Sequence, residues 1–302
     1  MKLKLSALAL FFLFVSYASH GQITNLIHTK DYETGRLGEL GNEQKFGSGK
    51  ESMILLPGWG FDWTIFESFI DRFKDKYSIY AVTFPGFGNT IAPPMPAENE
   101  VFSNLYWSGG ILTGLKNLIT SEKLERPILV SAFTYSSFIA MRLALDSPEL
   151  VGSVVIIGGM AKYTANYPSY EPASLRQRIN YIEKVLAPRW FKTVDKATWD
   201  NGNFRAEIFT QDSTKAMKYW EQMSSVPIPV MVRYLCEFYC TDISIEYENL
   251  SVPTLIVVPD FTEETLTNPS NNYLTSFFHS SWLGAKPASD KNQMITVTDT
   301  NA

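Results

Sequence analysis

The sequence predicts an α/β protein with a doubly wound, mostly parallel sheet and an inserted helical segment. Short apolar runs bounded by Pro and Gly alternate with segments whose apolar residues recur every three or four positions. This alternation is typical of buried strands and amphipathic helices. It breaks once, in a long stretch rich in large aromatic residues, and then resumes. Such an order implies parallel strands joined by right-handed crossovers, with helices on both faces of the sheet.

Residues 1–22 have the layout of an export signal. Two lysines precede an apolar run from Leu5 to Val15, and small and polar residues follow. The run is too short for a comfortable membrane span. We expect cleavage near Gly21 or Gln22, which gives an exported protein, periplasmic or secreted, with no stable membrane span once the signal is removed. An uncleaved anchor is the alternative.

Residues 23–159 are predicted to form the first part of the sheet domain. The stretch up to Lys50 is polar and Gly-rich and predicts a hairpin. Alternating strands and helices follow. Apolar runs predict strands at 52–58, 77–83, 127–131 and 151–159, and helical periodicity predicts helices at 63–76, 105–124 and 136–150.

Residues 160–248 are predicted to be an inserted helical cap, and residues 249–302 the second part of the sheet domain. The aromatic side chains of the insert either line an apolar substrate cleft or form a core of the cap itself. Strands are predicted at 252–260 and 293–299. Because no helix follows the last strand, we expect this second part to be incomplete and the sequence to be a fragment of a longer gene product.

Composition and charge narrow the classes of partner. A formal net charge of −5 without a long basic run argues against nucleic acid as a partner. A hydrophobic content of 45% is enough for a substantial core.

The two cysteines, Cys236 and Cys240, fall on one helical face and are interpreted as buried thiols. No metal site is expected, because neither His nor a further Cys lies near them in the sequence.

Three stretches between Ser52 and Ala302 resemble motifs of the α/β-hydrolase family. LLPGWGFDW resembles the family's His-Gly oxyanion loop, with Pro57 in the place of His. TFPGFGNT resembles the Asp-x-Pro-Gly-x-Gly segment, with Thr83 in the place of Asp. AFTYS resembles the Gly-x-Ser-x-Gly nucleophile elbow. The resemblance implies the α/β-hydrolase fold of the capped, lipase- or esterase-like type.

Thr134 occupies the nucleophile position of this elbow. The turn requires small residues two positions before and two after, and Ala132 and Ser136 meet that requirement. If Ser131 were taken as the nucleophile, its hydroxyl would lie within the predicted strand. If Ser136 or Ser137 were taken, the hydroxyl would lie inside the predicted helix. The elbow is expected to hold Thr134 at positive φ, which is costly for a β-branched residue. Two interpretations stay open: a working nucleophile, or a hydroxyl that fills an inherited turn.

Two backbone amides are predicted to form an oxyanion hole. The amide of Tyr135 follows the elbow residue, and the amide of Trp59 lies in the PGWG loop. Backbone donors do not depend on the side chains that differ from the family pattern. An ordinary tight turn packed by Trp59 is the alternative interpretation of this loop.

The catalytic base and acid are harder to assign. The chain has three histidines: His20 lies in the export signal, His28 near the mature N-terminus, and His279 before the last strand. The resemblance implies a His in a loop after that strand, where this sequence has none. His279 is interpreted as a surface or helix-packing residue.

Asp260 is the candidate acid, because it ends the strand VPTLIVVPD. Thr262 sits nearest the position that the family uses, and Glu263 and Glu264 lie beside it. A capping or turn role for Asp260 is the alternative.

The resemblance implies a hydrolase of carboxylic esters or amides that forms an acyl-enzyme on the elbow hydroxyl. It implies no metal or organic cofactor. The partner is a small molecule, partly apolar. The alternatives are a binding protein that keeps the pocket without turnover, and a protein in which only the fold persists.

Overall fold

A seven-stranded sheet lies at the centre of the computed structural model, which describes residues 34–97, 100–162, 174–197, 212–260, 280–282, 285 and 290–298. The strand order is β1-β3-β2-β4-β5-β6-β7. The described strands are β1 (Asn42–Phe46), β2 (Glu51–Leu56), β3 (Tyr77–Thr83), β4 (Ile128–Phe133), β5 (Ser153–Gly159), β6 (Thr254–Asp260) and β7 (Asn292–Thr298). All neighbouring pairs are parallel except β1 and β3. The predicted doubly wound, mostly parallel α/β fold is thereby confirmed.

The helices follow the predicted order. Those of the first part of the chain are α1 (Glu67–Phe73), preceded by a 3₁₀ turn (Trp63–Phe66), α2 (Tyr106–Ser121) and α3 (Thr134–Asp146). Those of the predicted cap are α4 (Leu175–Tyr181), a π-helical turn (Ile182–Leu186), α5 (Ala187–Thr193), α6 (Ser213–Ser225) and α7 (Ile228–Tyr239). None of the helices in the described ranges is long and apolar enough to cross a membrane.

The hairpin predicted between Gln22 and Lys50 lies partly outside the described residues and stays a prediction. Strand β1 pairs antiparallel with β3, and β2 lies on the other side of β3. The chain passes from β1 to β2 across the start of β3. Gly49 makes this crossing possible, because a Cβ built there would lie only 1.9 Å from the carbonyl oxygen of Lys76.

Strand burial explains why the apolar runs are continuous. The side chains of β4 alternate between two cores: Leu129 belongs to the larger core on one face, and Val130 and Ala132 belong to the smaller core on the other. A strand buried on both faces reads as an unbroken apolar run, which is typical of parallel sheets.

Strand β2 marks the point where the direction of winding reverses. It pairs with β3 on one side and with β4 on the other. In open α/β sheets, ligands bind beyond the carboxyl ends of the strands at such a switch point. The loop after β2, residues 57–62, and the turn after β4, residues 133–135, both lie there. These are the two segments in which the sequence predicts the oxyanion donors.

Candidate active site

The turn from β4 into α3 is abrupt. Strand β4 ends at Phe133 and α3 begins at Thr134 with no residue between them. Phe133 has φ 65° and ψ 152°, a conformation that L-residues rarely adopt. The expectation of positive φ at Thr134 is therefore wrong. Phe133 lacks a branch at Cβ, so it adopts this conformation at a lower steric cost than threonine would.

Thr134 is the first residue of α3 and is half-buried. It forms a bridge with Gly159, the last residue of β5. Its carbonyl oxygen accepts a hydrogen bond from the Ser137 hydroxyl. Among the described residues, no group is hydrogen-bonded to the Thr134 hydroxyl. The hydroxyl therefore lies at the switch point, although one residue further along the turn than the strained position.

The small residues around Thr134 hold the turn together. Ala132 and Ser136 are both buried, and the Ser136 hydroxyl donates to the Ala132 carbonyl oxygen at 2.9 Å. The same hydroxyl lies 3.0 Å from the carbonyl oxygen of Phe133. Ser131 lies within the strand, and Ser136 and Ser137 lie within the helix, as predicted for these three alternative nucleophiles. All three of those serines are fully buried.

Gly58 brings the loop after β2 directly against the elbow. A Cβ built on Gly58 would lie 2.7 Å from the Phe133 Cβ and 3.0 Å from the Ala132 carbonyl oxygen. Real side chains are not accommodated at these distances, so only glycine permits this approach. The ring centroids of Phe61 and Phe133 are 5.6 Å apart. The segments that carry the two predicted oxyanion donors thus lie next to each other.

The two donor residues differ in how they are held. Trp59 is 7% exposed, and its indole Nε1 donates to the Met231 carbonyl oxygen of α7 at 3.0 Å. Tyr135 is the second residue of α3, so its amide has no acceptor four residues earlier within the helix. Its side chain points into the core, where the hydroxyl lies 2.9 Å from the Ser108 hydroxyl.

The segment after β3 also approaches the site. Gly86 has φ 88° and allows the turn that the Pro-Gly motif requires. Thr83, which stands in the place of the family's Asp, is buried, and its hydroxyl accepts from the Trp63 amide at 3.2 Å. The Tyr234 hydroxyl of α7 donates to the Pro85 carbonyl oxygen at 2.9 Å. Thr83 therefore links the start of the 3₁₀ turn to the end of β3.

The predicted acid and base are not tested by the structure. Asp260 is the last residue of β6 and pairs with Thr298 in β7, but its side chain lies outside the described part. The other acid candidates, Thr262, Glu263 and Glu264, and all three histidines, His20, His28 and His279, also lie outside the described residues.

A buried ionic cluster behind the elbow was missed in the sequence. Glu237 and Arg233 of α7 are 0% and 3% exposed, and the Arg233 Nη2 lies 2.8 Å from the Glu237 Oε1. Two charges four residues apart in the otherwise apolar segment IPVMVRYLCEFY are the signal that reveals the pair.

Burial controls the titration of the groups near the elbow. Burial raises the pKa of the Tyr135 hydroxyl well above 10, and the nearby Glu237 charge raises it further. The phenol is therefore a neutral hydrogen-bond donor at physiological pH.

Cys236 and Cys240 are buried as predicted. No group of three or more His, Cys, Asp or Glu that could hold a metal ion occurs within the described ranges.

Comparison with known proteins agrees with this architecture. A model of the Alpha/beta hydrolase family matches residues 53–295. A pimeloyl-[acyl-carrier protein] methyl ester esterase of Proteus mirabilis is 23% identical over 155 residues, which cover 51% of this chain and 52% of that protein. The protein of the same name from Legionella pneumophila (strain Corby) is 30% identical over 122 residues, with 40% and 43% covered. The chain thus spans about half the length of the relatives it matches.

Solved structures show the same fold. An esterase from Exiguobacterium antarcticum superposes with a TM-score of 0.55 at 15% identity and covers 86% of both chains. The enol-lactonase from Burkholderia xenovorans LB400 superposes with a TM-score of 0.54 at 12% identity and covers 85% of this chain and 87% of its own. Since the family model matches residues 53–295, which are most of the sequence, the chain belongs to the alpha/beta hydrolase family.

Proposed function

We propose that this protein hydrolyses carboxylic esters by transferring the acyl group to the Thr134 hydroxyl. The observation that carries the proposal is the contact between the elbow and the loop after β2, where Gly58 allows an approach that no other residue permits. This contact supports the proposal, because the two segments that carry the hydroxyl and the candidate amide donors meet at the switch point of the sheet. The ester class is supported by the methyl ester esterases among the relatives.

The proposed reaction has two steps. The Thr134 oxygen attacks the ester carbonyl carbon while the amides of Trp59 and Tyr135 stabilise the negative charge that develops on the carbonyl oxygen. The alcohol then leaves with a proton, and water hydrolyses the acyl-enzyme to the carboxylic acid and free Thr134. The hydroxyl needs a base to lose its proton. Separate His28→Ala and His279→Ala substitutions identify whether either histidine supplies it.

The decisive variant is Thr134→Ala. With p-nitrophenyl acetate or butyrate as substrate, we expect kcat to fall by at least about a hundredfold, because the acyl acceptor is removed. Thr134→Ser is expected to raise kcat, since the serine hydroxyl lacks the methyl group that crowds the attacking oxygen. Thr113→Ala is the matched control, because the hydroxyl of this exposed threonine of α2 donates to the Gly109 carbonyl oxygen of its own helix. Equal rates for wild type and Thr134→Ala would contradict the proposal.

A second candidate is a ligand-binding protein without turnover. The position of Phe133 favours it, because the strained residue of the turn carries a phenyl ring and not the hydroxyl. Thr134 is also branched at Cβ, which hinders attack. This function predicts that the wild type and Thr134→Ala both fail to hydrolyse the esters but bind a non-hydrolysable ether analogue of the substrate with equal affinity.

A further inference from the structure

Four buried side chains from three helices meet behind the elbow. Glu237 and Arg233 belong to α7, Ser108 belongs to α2, and Tyr135 belongs to α3. Each is at most 3% exposed. We call this set the Glu237 cluster. It is the place where a helix of the predicted cap, the elbow helix and α2 are joined by polar contacts.

Glu237 supplies the N-terminal cap that α2 lacks. Leu105, which precedes the helix, has φ 52° and offers no side-chain acceptor. The Glu237 carboxylate accepts from the Trp107 amide at 3.0 Å and from the Ser108 amide at 2.8 Å. A negative charge at a helix N-terminus is also stabilised by the helix dipole. The carboxylate is therefore held in one position by the backbone of α2.

The direction of the hydrogen bonds can be assigned. The Ser108 hydroxyl donates to the Glu237 Oε2 at 2.7 Å, and the other oxygen of this carboxylate is paired with Arg233. The single hydroxyl proton of Ser108 is then used, and Tyr135 must donate to the Ser108 oxygen across the 2.9 Å contact. Arg233 Nε completes the cluster by donating to the Glu237 Oε1 at 2.8 Å.

Tyr135 connects this cluster to the proposed oxyanion hole. It directly follows Thr134, so one end of the residue is the proposed amide donor and the other end is the anchored hydroxyl. The ring is enclosed by aromatic neighbours, with ring centroids 5.9 Å away in Phe84 and 5.4 Å away in Tyr234. A ring that is both packed and hydrogen-bonded has one orientation, which fixes the backbone at the start of α3.

We propose that Glu237, acting through Ser108 and the Tyr135 hydroxyl, is a positioning residue that holds the Tyr135 amide in place to stabilise the transition state. This inference rests on the proposed esterase function. Because the amide donor matters when charge develops on the substrate oxygen, its misplacement changes kcat more than KM.

The test uses Tyr135→Phe and Ser108→Ala, which both remove the hydrogen bond between the two hydroxyls; Ser108→Ala also removes the hydrogen bond from Ser108 to Glu237. We expect each to lower kcat for p-nitrophenyl butyrate about tenfold, with KM unchanged within about twofold. The double variant is expected to be no slower than the slower single variant, because both changes break one link. Glu237→Gln is expected to show the same loss in kcat without a change in KM.

Asp242→Asn is the matched control. Asp242 forms a buried ion pair with Arg178 at 2.8 Å, with side chains 8% and 9% exposed, and neither residue belongs to the elbow helix or to the Glu237 cluster. We expect Asp242→Asn to lower the melting temperature but to leave kcat and KM unchanged. Equal falls in kcat in Asp242→Asn and Ser108→Ala would overturn the positioning role, because general destabilisation would then explain both.

A measurement without substrate separates this inference from the proposed function. In ¹⁵N relaxation dispersion, we expect Ser108→Ala to produce microsecond-to-millisecond exchange at the amides of residues 133–136, and we expect none in wild type or Asp242→Asn. If wild type has no esterase activity but this exchange appears in Ser108→Ala, the proposed function is wrong. The positioning of the elbow backbone by the Glu237 cluster is then still supported. If the elbow amides of Ser108→Ala behave as in wild type, the link itself is wrong.

Discussion

Gly58 shows at the scale of one residue how the site depends on close backbone approach. A Cβ at this position would lie within 3.0 Å of both Phe133 and Ala132, which belong to the elbow. We expect Gly58→Ala to push the loop away from the elbow and to lower the free energy of unfolding by about 2 kcal/mol, as overpacking does. Urea unfolding followed by circular dichroism measures this. A loss in esterase kcat should accompany it, because Trp59 follows directly.

Gly109 is the matched control for that substitution. It lies within α2, and a Cβ built on it would have no atom within 4 Å apart from its own helix backbone and chain neighbours. Gly109→Ala is expected to raise the free energy of unfolding by up to about 1 kcal/mol, because alanine favours helix more than glycine does. If both alanine substitutions changed stability equally, the crowding at Gly58 would be without energetic effect.

The sequence could locate the turn around residue 134 but not its exact geometry. The frame of small residues at 132 and 136 identified where strand becomes helix, and the structure agrees. Which residue takes positive φ depends on where the helix hydrogen bonds begin, and at that point Thr134 is bridged to Gly159 of a neighbouring strand. A contact between residues 25 positions apart in sequence leaves no local signal.

Helix α7 is the element whose role is hardest to predict from the sequence. Its apolar residues predict a buried helix, and eleven of its twelve residues are buried. The Glu237 carboxylate caps α2 by accepting from the amides of Trp107 and Ser108, which lie 130 and 129 positions earlier in the sequence. The sequence before α2 lacks the usual Ser, Thr, Asp or Asn at its cap, and only tertiary structure shows what replaces it.

The thiols of α7 and of the residue after it predict how stability depends on pH. Burial raises the pKa of Cys240 from its ordinary 9.0 to about 12, and burial also raises the pKa of Cys236. The folded state therefore keeps protons that the unfolded state releases above about pH 9. The contribution of the thiols to the free energy of unfolding is fully present below that pH. It is lost as pH rises toward 12, by on the order of 1 kcal/mol per thiol per pH unit.

Urea midpoints at pH 8 and pH 10 test this dependence. We expect wild type to lose more stability across that interval than the Cys236→Ala/Cys240→Ala double variant. Native protein at pH 8 should also react with Ellman's reagent far more slowly than protein in urea, because the thiols are buried and protonated. An identical loss of stability in both proteins would show that the thiols do not titrate as their burial implies.

At the scale of the whole molecule, the sheet was the most predictable feature. The strand at 254–260 was located from an apolar run, and the last strand was located from an apolar alternation. The order of the strands could not be predicted: β1 and β2 are separated by β3, and strand order cannot be read from local pattern. The division into sheet domain and cap at residues 160 and 248 stays a prediction.

We propose that the mature protein begins near Gly21 or Gln22 and is exported. The apolar run from Leu5 to Val15 is roughly half as long as the about 20 apolar residues that span a membrane, as in a cleaved signal and unlike a stable anchor. Expression in a bacterial host followed by intact-mass analysis should show a species that lacks residues 1–20 or 1–21 outside the cytoplasm. Replacing Leu10 with Arg breaks the apolar run and should leave the full-length chain in the cytoplasm. Uncleaved protein in the membrane fraction would instead support an N-terminal anchor.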